Sequence, residues 1–438
     1  MKKELYRVII VFCAIMLIFI LSVVVTEKNN IASLRAGSST SIQTQDNNSV
    51  PVPVISEKAI QFQKNKVAVW IIRILSGFLL PALFLFSGFS AGIRNWARAR
   101  SSNMIIIPAL FFVVYTLINY TLNFPLNFYS GYIRLHGYGL SNQTLGKWLG
   151  DSLKSLAIYT VSGAAFIWVP YLLIKRFPRS WWLYMGMLSF PVLTFITFIT
   201  PVFIDPLYNK YETVQNRELD AKIHSLLART TIGDCDVFQV DKSVDTNQMN
   251  AYMTGVFNTK RIVLWDTTID KLSETETLSV VAHEMGHYIL GHIWKSVALG
   301  GLLCIAIFFL ADRCSVWILE KSGSAFGFDR LYDAASLPLL ILVINVLLFI
   351  AAPAENAYSR YIEKEADRFG LEITHDNKAA ASSMVKLHWE SLTLPKPGAI
   401  YRLWVYDHPT LKERVDFANT YKPWEVNLPL KYGQYIVK

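Results

Sequence analysis

Seven runs of apolar sequence, each long enough to cross a hydrocarbon layer, restrict this chain to folds built inside a bilayer. They are read as residues 8–25, 67–91, 104–122, 156–174, 181–204, 297–318 and 337–352. Backbone surrounded by hydrocarbon must satisfy its polar groups within its own segment, so each run is expected to be a helix. Pro81, Pro108, Pro170, Pro191 and Pro201 fit that reading, because neighbouring helices and water re-satisfy the carbonyls that a proline frees. Arg73 lies near one end of its run, where a long side chain snorkels to the interface. Asp312 and Arg313 are expected as an exposed pair marking the far end of the sixth run. The first run follows Lys2, Lys3 and Arg7, and the lack of an A-x-A site after it favours a retained anchor over a signal peptide.

Of the 438 residues, 53% are hydrophobic, too many for an ordinary soluble protein of this length. The net charge of +9 comes with no nucleic-acid motif; lysines and arginines gather at the ends of the apolar runs instead. The bilayer is therefore the expected partner, and nucleic acid is not. Lys2, Lys3 and Arg7, then Arg94, Arg98 and Arg100, then Lys175, Arg176 and Arg179 share one face, which the positive-inside rule makes cytoplasmic. Seven spans then put the large polar region on the non-cytoplasmic face. Cys13, Cys235, Cys304 and Cys314 form no CxxC pattern, so neither a disulfide framework nor a thiolate metal site is implied. Residues 29–53, rich in Ser, Thr, Gln and Asn, read as a solvent-exposed loop. Residues 131–151, aromatic and glycine-rich, read as an ordered loop or short amphipathic helix at the membrane face.

Between residues 205 and 296 the composition turns soluble. A helix over 217–230, strands over 235–241, 249–256 and 261–266, and a helix over 272–294 together predict a small α+β domain. The last helix opens with a capping box, Ser273 and Glu276, and is expected to run on into the sixth span. It carries His283, Glu284 and His287 as H-E-x-x-H, with both imidazoles on one face a turn apart, a spacing that suits one metal ion. A catalytic zinc takes three protein ligands and leaves a fourth position to water, beside which Glu284 would act as general base.

Two spans separate residue 296 from residue 353, so the C-terminal segment returns to the same face and can supply the third ligand. There Glu363 and Asp367 stand four residues apart: Glu363 can ligate, and Asp367 can accept from a ligating histidine. Taken alone, the pair also reads as a solvated face on which Arg360, Lys364 and Arg368 balance Glu363, Glu365 and Asp367. His292 competes as third ligand, but five residues turn it about 140° from His287, and it reads as structural. His408, in DHPTLKER, is either a turn residue before the next helix or a donor to a developing oxyanion.

Six stretches in order resemble peptidase family M48, zinc metallopeptidases, in the form of its membrane-embedded CAAX prenyl protease 1 (Ste24) type. They are GYIRLHGYGLSNQT (131–144), FIDPLYNKYE (203–212), MNAYMTGVFNTKRIVLWDT (249–267), VAHEMGHYILGH (281–292), SRYIEKEAD (359–367) and DHPTLKER (407–414). The resemblance implies an α-helical integral membrane protein, about seven transmembrane helices around an internal chamber, with a gluzincin-like α+β domain joining HExxH to ExxxD. Its divisions would be an anchor and polar loop (1–66), a transmembrane region (67–204) and a catalytic region (205–438) that includes the last two spans.

The resemblance further implies one Zn2+ per chain, with His283, His287 and Glu363 as ligands, Glu284 as base and Asp367 behind a ligand. It makes His408 an oxyanion or substrate contact, and Asn250, Ala251 and Tyr252 part of an edge to which substrate backbone adds as a strand. The expected activity is that of a zinc metalloendopeptidase on peptide or protein substrates, prenylated or membrane-associated ones included. Eukaryotic members of the group are understood to turn this site toward the cytosol, against the charge bias found here. Two rival readings stay open: a quality-control protease without a lipid requirement, and a seven-span receptor or transporter with a structural metal. A scaffold without catalysis fits poorly with an intact Glu284.

Overall fold

Helices form wherever the apolar runs predicted them, and most extend past the apolar stretch on polar residues that pack against the rest of the protein. The computed structural model describes residues 3–38, 49–255, 259–323 and 325–437. In chain order, α1 (Lys3–Ser38) and α2 (Glu57–Phe86) precede a short α3 (Phe89–Arg98), and α4 (Ile106–Phe128) leads through a wide turn into α5 (Arg134–Gly137). The next pair, α6 (Leu145–Phe166) and α7 (Trp168–Arg176), is one span bent at Ile167, and α8 (Trp181–Ile199) follows. After the polar domain come α12 (His292–Ser322) and α13 (Leu337–Thr374). By length and composition seven helices among the described residues can cross a membrane. Two of them, α8 and α12, approach so closely that a Cβ on Gly186 would stand 2.4 Å from Ile305, and one on Gly301 2.5 Å from Phe190.

The polar domain begins with β1 (Tyr211–Thr213), α9 (Arg217–Ala228), β2 (Asp236–Val240), β3 (Ala251–Thr254) and β4 (Arg261–Trp265). Then come α10 (Asp266–Lys271) and α11 (Glu274–Ile289), and after α13 the chain closes the domain with α14 (Asn377–Glu390), α15 (Ala399–Val405) and α16 (Leu411–Thr420). The sheet order is β1-β2-β4-β3, with β2 parallel to β4 and the other two pairs antiparallel. Its core joins Ile223 and Leu227 of α9, Ile262 and Leu264 of β4, Val281 and Met285 of α11, and Phe369 of α13. Each such fully buried side chain contributes roughly 1.5–3 kcal/mol, so the sheet, α11 and α13 form one rigid platform. A separate cavity of about 550 Å³ lies between α2, α4, α6 and α13, lined by Arg73, Asn119, Asn123 and Asn345 among others.

Five expectations need correction. Residues 29–38 belong to α1 rather than to an exposed loop, because Ile31 and Leu34 pack on Ala59, Ile60 and Leu394, and Asn30 Nδ2 donates to Lys396 O at 2.9 Å. Further on, Val50 and Val52 pack against the α14–α16 cluster, while residues 39–48 lie outside the described residues. Within residues 131–151 only a short loop between α5 and α6 is non-helical. Asp312 is buried, 3% exposed, where it accepts from Trp181 Nε1 at 2.7 Å; only Arg313 faces outward. Lastly, the helix of the H-E-x-x-H motif does not run on into the sixth span. Gly291, with φ +66°, turns the chain between α11 and α12, a conformation that costs other residues about 1–2 kcal/mol. The strand expected over 249–256 is shorter, and Val256 lies outside the described residues.

Candidate active site

Helix α11 starts at a capping box in which Ser273 Oγ accepts from Glu276 N and Glu276 Oε2 accepts from Ser273 N at 2.7 Å. Burial pushes the Glu276 carboxyl up, but bonds from Lys386, Ser382 and Ser273 outweigh it and hold the group below its ordinary value. This anchored start fixes the phase of the helix, and three turns later His283 and His287 face α13. The two helices touch through glycines. A Cβ on Gly286 would meet Ala366 Cα and Phe369 Cβ at 3.1 Å, and one on Gly370 would meet His283 N at 3.3 Å. Only such close approach lets a carboxylate as short-reaching as Glu363 arrive between the imidazoles.

It does arrive there. His283 Nε2 and His287 Nε2 are 3.2 Å apart; Glu363 Oε2 is 3.3 Å from the first and Oε1 3.2 Å from the second. One ligand atom from each residue lies within 4.8 Å of the others, and the set is largely shielded from solvent. Glu363 Oε2 is sealed from water and has no hydrogen-bond partner among the described residues, an arrangement that a cation at the focus of the three side chains would complete. Burial opposes charge on His283, but Asp367 and Glu363 win, and the imidazole is held well above its usual value. The surroundings thus favour positive charge, and two imidazoles with one carboxylate are a donor set that zinc accepts.

Behind each histidine stands a second group. Asp367 Oδ1 lies 2.9 Å from His283 Nδ1, and the same carboxylate takes a two-pronged pair from Arg414, Nη2 to Oδ1 at 2.6 Å and Nε to Oδ2 at 3.0 Å. Arg414 went unremarked in the sequence; its position one helical turn past Thr410, the N-cap of a second capping box with Glu413, was the available signal. His292 is no third ligand here. The turn at Gly291 folds it back so that its Nδ1 sits 3.1 Å from His287 Nδ1, where it orients that ring. The angle of an unbroken helix would have carried it away.

Glu284 lies beside the cluster, and burial holds its carboxyl above the ordinary range against the pull of the neighbouring imidazoles. His408 arrives from the loop before α16. Its Nδ1 is 2.8 Å from Asp407 Oδ1 and its Nε2 3.4 Å from Glu363 Oε2. Burial lowers the tendency of His408 to charge, yet Asp407 and Glu363 raise it more, so its net shift is upward. Strand β3 lies at the sheet edge next to α11, with Ala251 and Tyr252 in the strand and Asn250 immediately before it. Among the described residues β3 pairs only with β4, which leaves its other side available to an added strand.

Comparison with known proteins agrees with this geometry. A model of peptidase family M48 matches residues 213–422, and one of the CAAX prenyl protease N-terminal region, five membrane helices, matches residues 55–210. The chain is similar to the uncharacterized metalloprotease YhfN of Bacillus subtilis (strain 168), 35% identical over 369 residues covering 83% of this chain and 85% of that protein. It is 28% identical to CAAX prenyl protease 1 of Saccharomyces cerevisiae over 350 residues, 74% of this chain and 77% of the relative. A CAAX prenyl protease 1 homolog of Oryza sativa subsp. japonica is 30% identical over 338 residues, 74% and 76% of the two chains. In fold, the crystal structure of S. mikatae Ste24p matches with a TM-score of 0.74 at 23% identity, covering 92% of this chain and 99% of that one. The chain therefore belongs to peptidase family M48 and is a membrane metalloprotease of its CAAX prenyl protease 1 (Ste24) type.

Proposed function

We propose that the protein is a zinc endopeptidase with one metal per chain, held by His283, His287 and Glu363. The observation that carries this reading is the convergence of those three side chains around an orphaned Glu363 oxygen, with Glu284 beside them. Zinc in that position supplies Lewis acidity, which lowers the pKa of a water and polarises a scissile carbonyl. Glu284 takes the proton of the attacking water and passes it to the departing amine, a role suited to a carboxyl whose affinity for protons burial has increased. Asp367 keeps the His283 ring in the tautomer whose Nε2 is free to ligate. His408 donates from Nε2 to the oxyanion, its far nitrogen oriented by Asp407.

Substrate backbone adds along β3, past Ala251 and Tyr252. The relatives named CAAX prenyl protease 1 extend the substrate class to prenylated peptides, and we place the site on the non-cytoplasmic face because of the charge bias of the opposite loops. The test uses detergent-purified protein and two peptides that differ only in a farnesyl group on cysteine. Chelator-sensitive cleavage should fall by about 10³-fold or more in Glu284→Gln while bound zinc stays. Cleavage that ignores both chelator and mutation removes the metallopeptidase assignment of these residues; equal cleavage of both peptides removes the lipid requirement. A tag on the N-terminus that proves accessible from outside intact cells would reverse the orientation.

A further inference from the structure

Away from the metal-ligand cluster, a groove of about 540 Å³ lies between α1 and α2, open to the surroundings where Val24 and Ala68 are exposed. Phe12 meets Phe78 with ring centroids 5.5 Å apart, Phe19 meets Trp70 at 6.1 Å, and Arg35 pairs with Glu57 at 2.7 Å, so the two helices are antiparallel. That register puts Lys28 of α1 and Lys64 of α2 at the same height, and both line the groove. They share a depth as well. Lys28 lies three residues past the end of the first apolar run, and Lys64 three residues before the start of the second.

At that height the groove changes chemistry. Toward the bilayer its walls are Val24, Val67, Ala68 and Ile71; at the other end they carry Lys28, Lys64 and Arg35. Arg35 is already answered by Glu57, and Glu27 turns its carboxylate away, Oε2 accepting from Gly398 N at 2.8 Å. Lys28 and Lys64 make no ion pair or hydrogen bond among the described residues. Two like charges on facing helices above one apolar trough repel, and a shared anion reverses the sign of that interaction.

We propose that this groove holds one anionic phospholipid of the surrounding bilayer, with its phosphate between Lys28 and Lys64 and an acyl chain along Val24, Ala68 and Ile71. A free phosphate would leave the apolar trough uncovered, and an uncharged chain would leave both ammonium groups unanswered. An amphiphile with a negative head satisfies the two together. The depth agrees, because lipid head groups lie where apolar runs end. The site also bears on the catalytic domain. The same turns of α1 hold the segment leading into α15, through Glu27 on Gly398 N and Asn30 Nδ2 on Lys396 O. A lipid bridging α1 and α2 therefore steadies that attachment. The inference rests neither on the metal nor on the identity of the substrate.

The experiment titrates the full chain in detergent with phosphatidylglycerol and with phosphatidylcholine of the same acyl chains, and reads bound lipid by native mass spectrometry. Glycerol phosphate serves as the head group without chains. Wild type should hold one phosphatidylglycerol about 30-fold more tightly than phosphatidylcholine, from roughly fivefold for each lysine near the surface. Lys28→Gln and Lys64→Gln should each lose about fivefold of that affinity and the double variant about 30-fold, while Lys28→Arg combined with Lys64→Arg should keep most of it. Ala68→Trp fills the trough without touching a charge and should weaken both lipids. Phosphatidylglycerol should raise the melting temperature of wild type and leave that of the double glutamine variant unmoved. Equal affinity for the two lipids overturns the proposal, as does a preference that survives loss of both lysines. Glycerol phosphate competing as well as the whole lipid would reduce the site to an anion site and overturn the lipid. Lipid binding untouched by Ala68→Trp, with the oligomeric state changed instead, would give the groove to a second copy of the chain. Should the double glutamine variant fail to fold, the single variants and Ala68→Trp decide.

Discussion

Asp367→Asn tests the support behind the metal cluster. Asp367 is 4% exposed and joins two partners, His283 Nδ1 at 2.9 Å and the Arg414 guanidinium at 2.6 and 3.0 Å. Asparagine preserves the shape but removes the charge, and one of its terminal atoms becomes a donor. Removing one member of a buried pair costs about 3–5 kcal/mol. Arg414 keeps the company of Glu363 and Glu284, so the lower end of that range is expected. Loss of a carboxylate behind a ligating histidine lowers metal affinity by about 10- to 100-fold, or about 1.4–2.8 kcal/mol. Competition against a chromogenic chelator reads the affinity, and thermal unfolding in detergent reads the stability. Arg414→Gln should destabilise the protein similarly but weaken zinc less, since Asp367 still faces His283. An Asp367→Asn variant that holds zinc within twofold of wild type and melts alongside it would refute the assignment of Asp367 as the group that orients His283.

Three further outcomes follow from the same geometry. Gly286→Ala places a methyl 3.1 Å from Ala366 and Phe369, so α13 must retreat by a few tenths of an ångström; a loss of about 1–3 kcal/mol and weaker zinc binding are expected by melting and chelator competition. His408→Phe keeps a ring but removes the donor, and kcat should drop by about 10²- to 10³-fold with zinc content unchanged. Glu276 titrates below its ordinary value in the folded protein, so its stabilising effect is complete above about pH 4.5 and fades as pH falls through the lower folded value. The difference in melting temperature between wild type and Glu276→Gln should accordingly shrink on acidification below about pH 4.5; a difference that widens there would contradict the bonds seen at the start of α11.

Much of the protein was legible because the relevant interactions are local or set by the solvent. A bilayer leaves a long apolar run little choice but a helix, and the spacing of His283 and His287 places both rings on one face of any helix they occupy. The capping box at Ser273 was equally readable. Even the return of residues 353–370 to the zinc face followed from counting spans. Local reading failed where a single residue or a distant partner overrode composition. Residues 29–38 look like loop but are helical because Ile31 and Leu34 find Ile60 and Leu394. Asp312 looks exposed but is buried because Trp181, 131 residues away, supplies its donor. His292 was misplaced in angle because a glycine at positive φ ended the helix one residue earlier.

The sequence by itself determined the membrane architecture, the family and the residue types able to bind a metal, since these depend on periodicity, length and chemistry carried along the chain. Tertiary structure alone decided that Glu363 enters between the two imidazoles and that Arg414 and His292 stand behind the ligands. Those relations depend on how closely α11 can lie against α13. Such distances are set by packing between segments far apart in the chain, through contacts such as Gly286 on Ala366, and no local pattern in the chain records them.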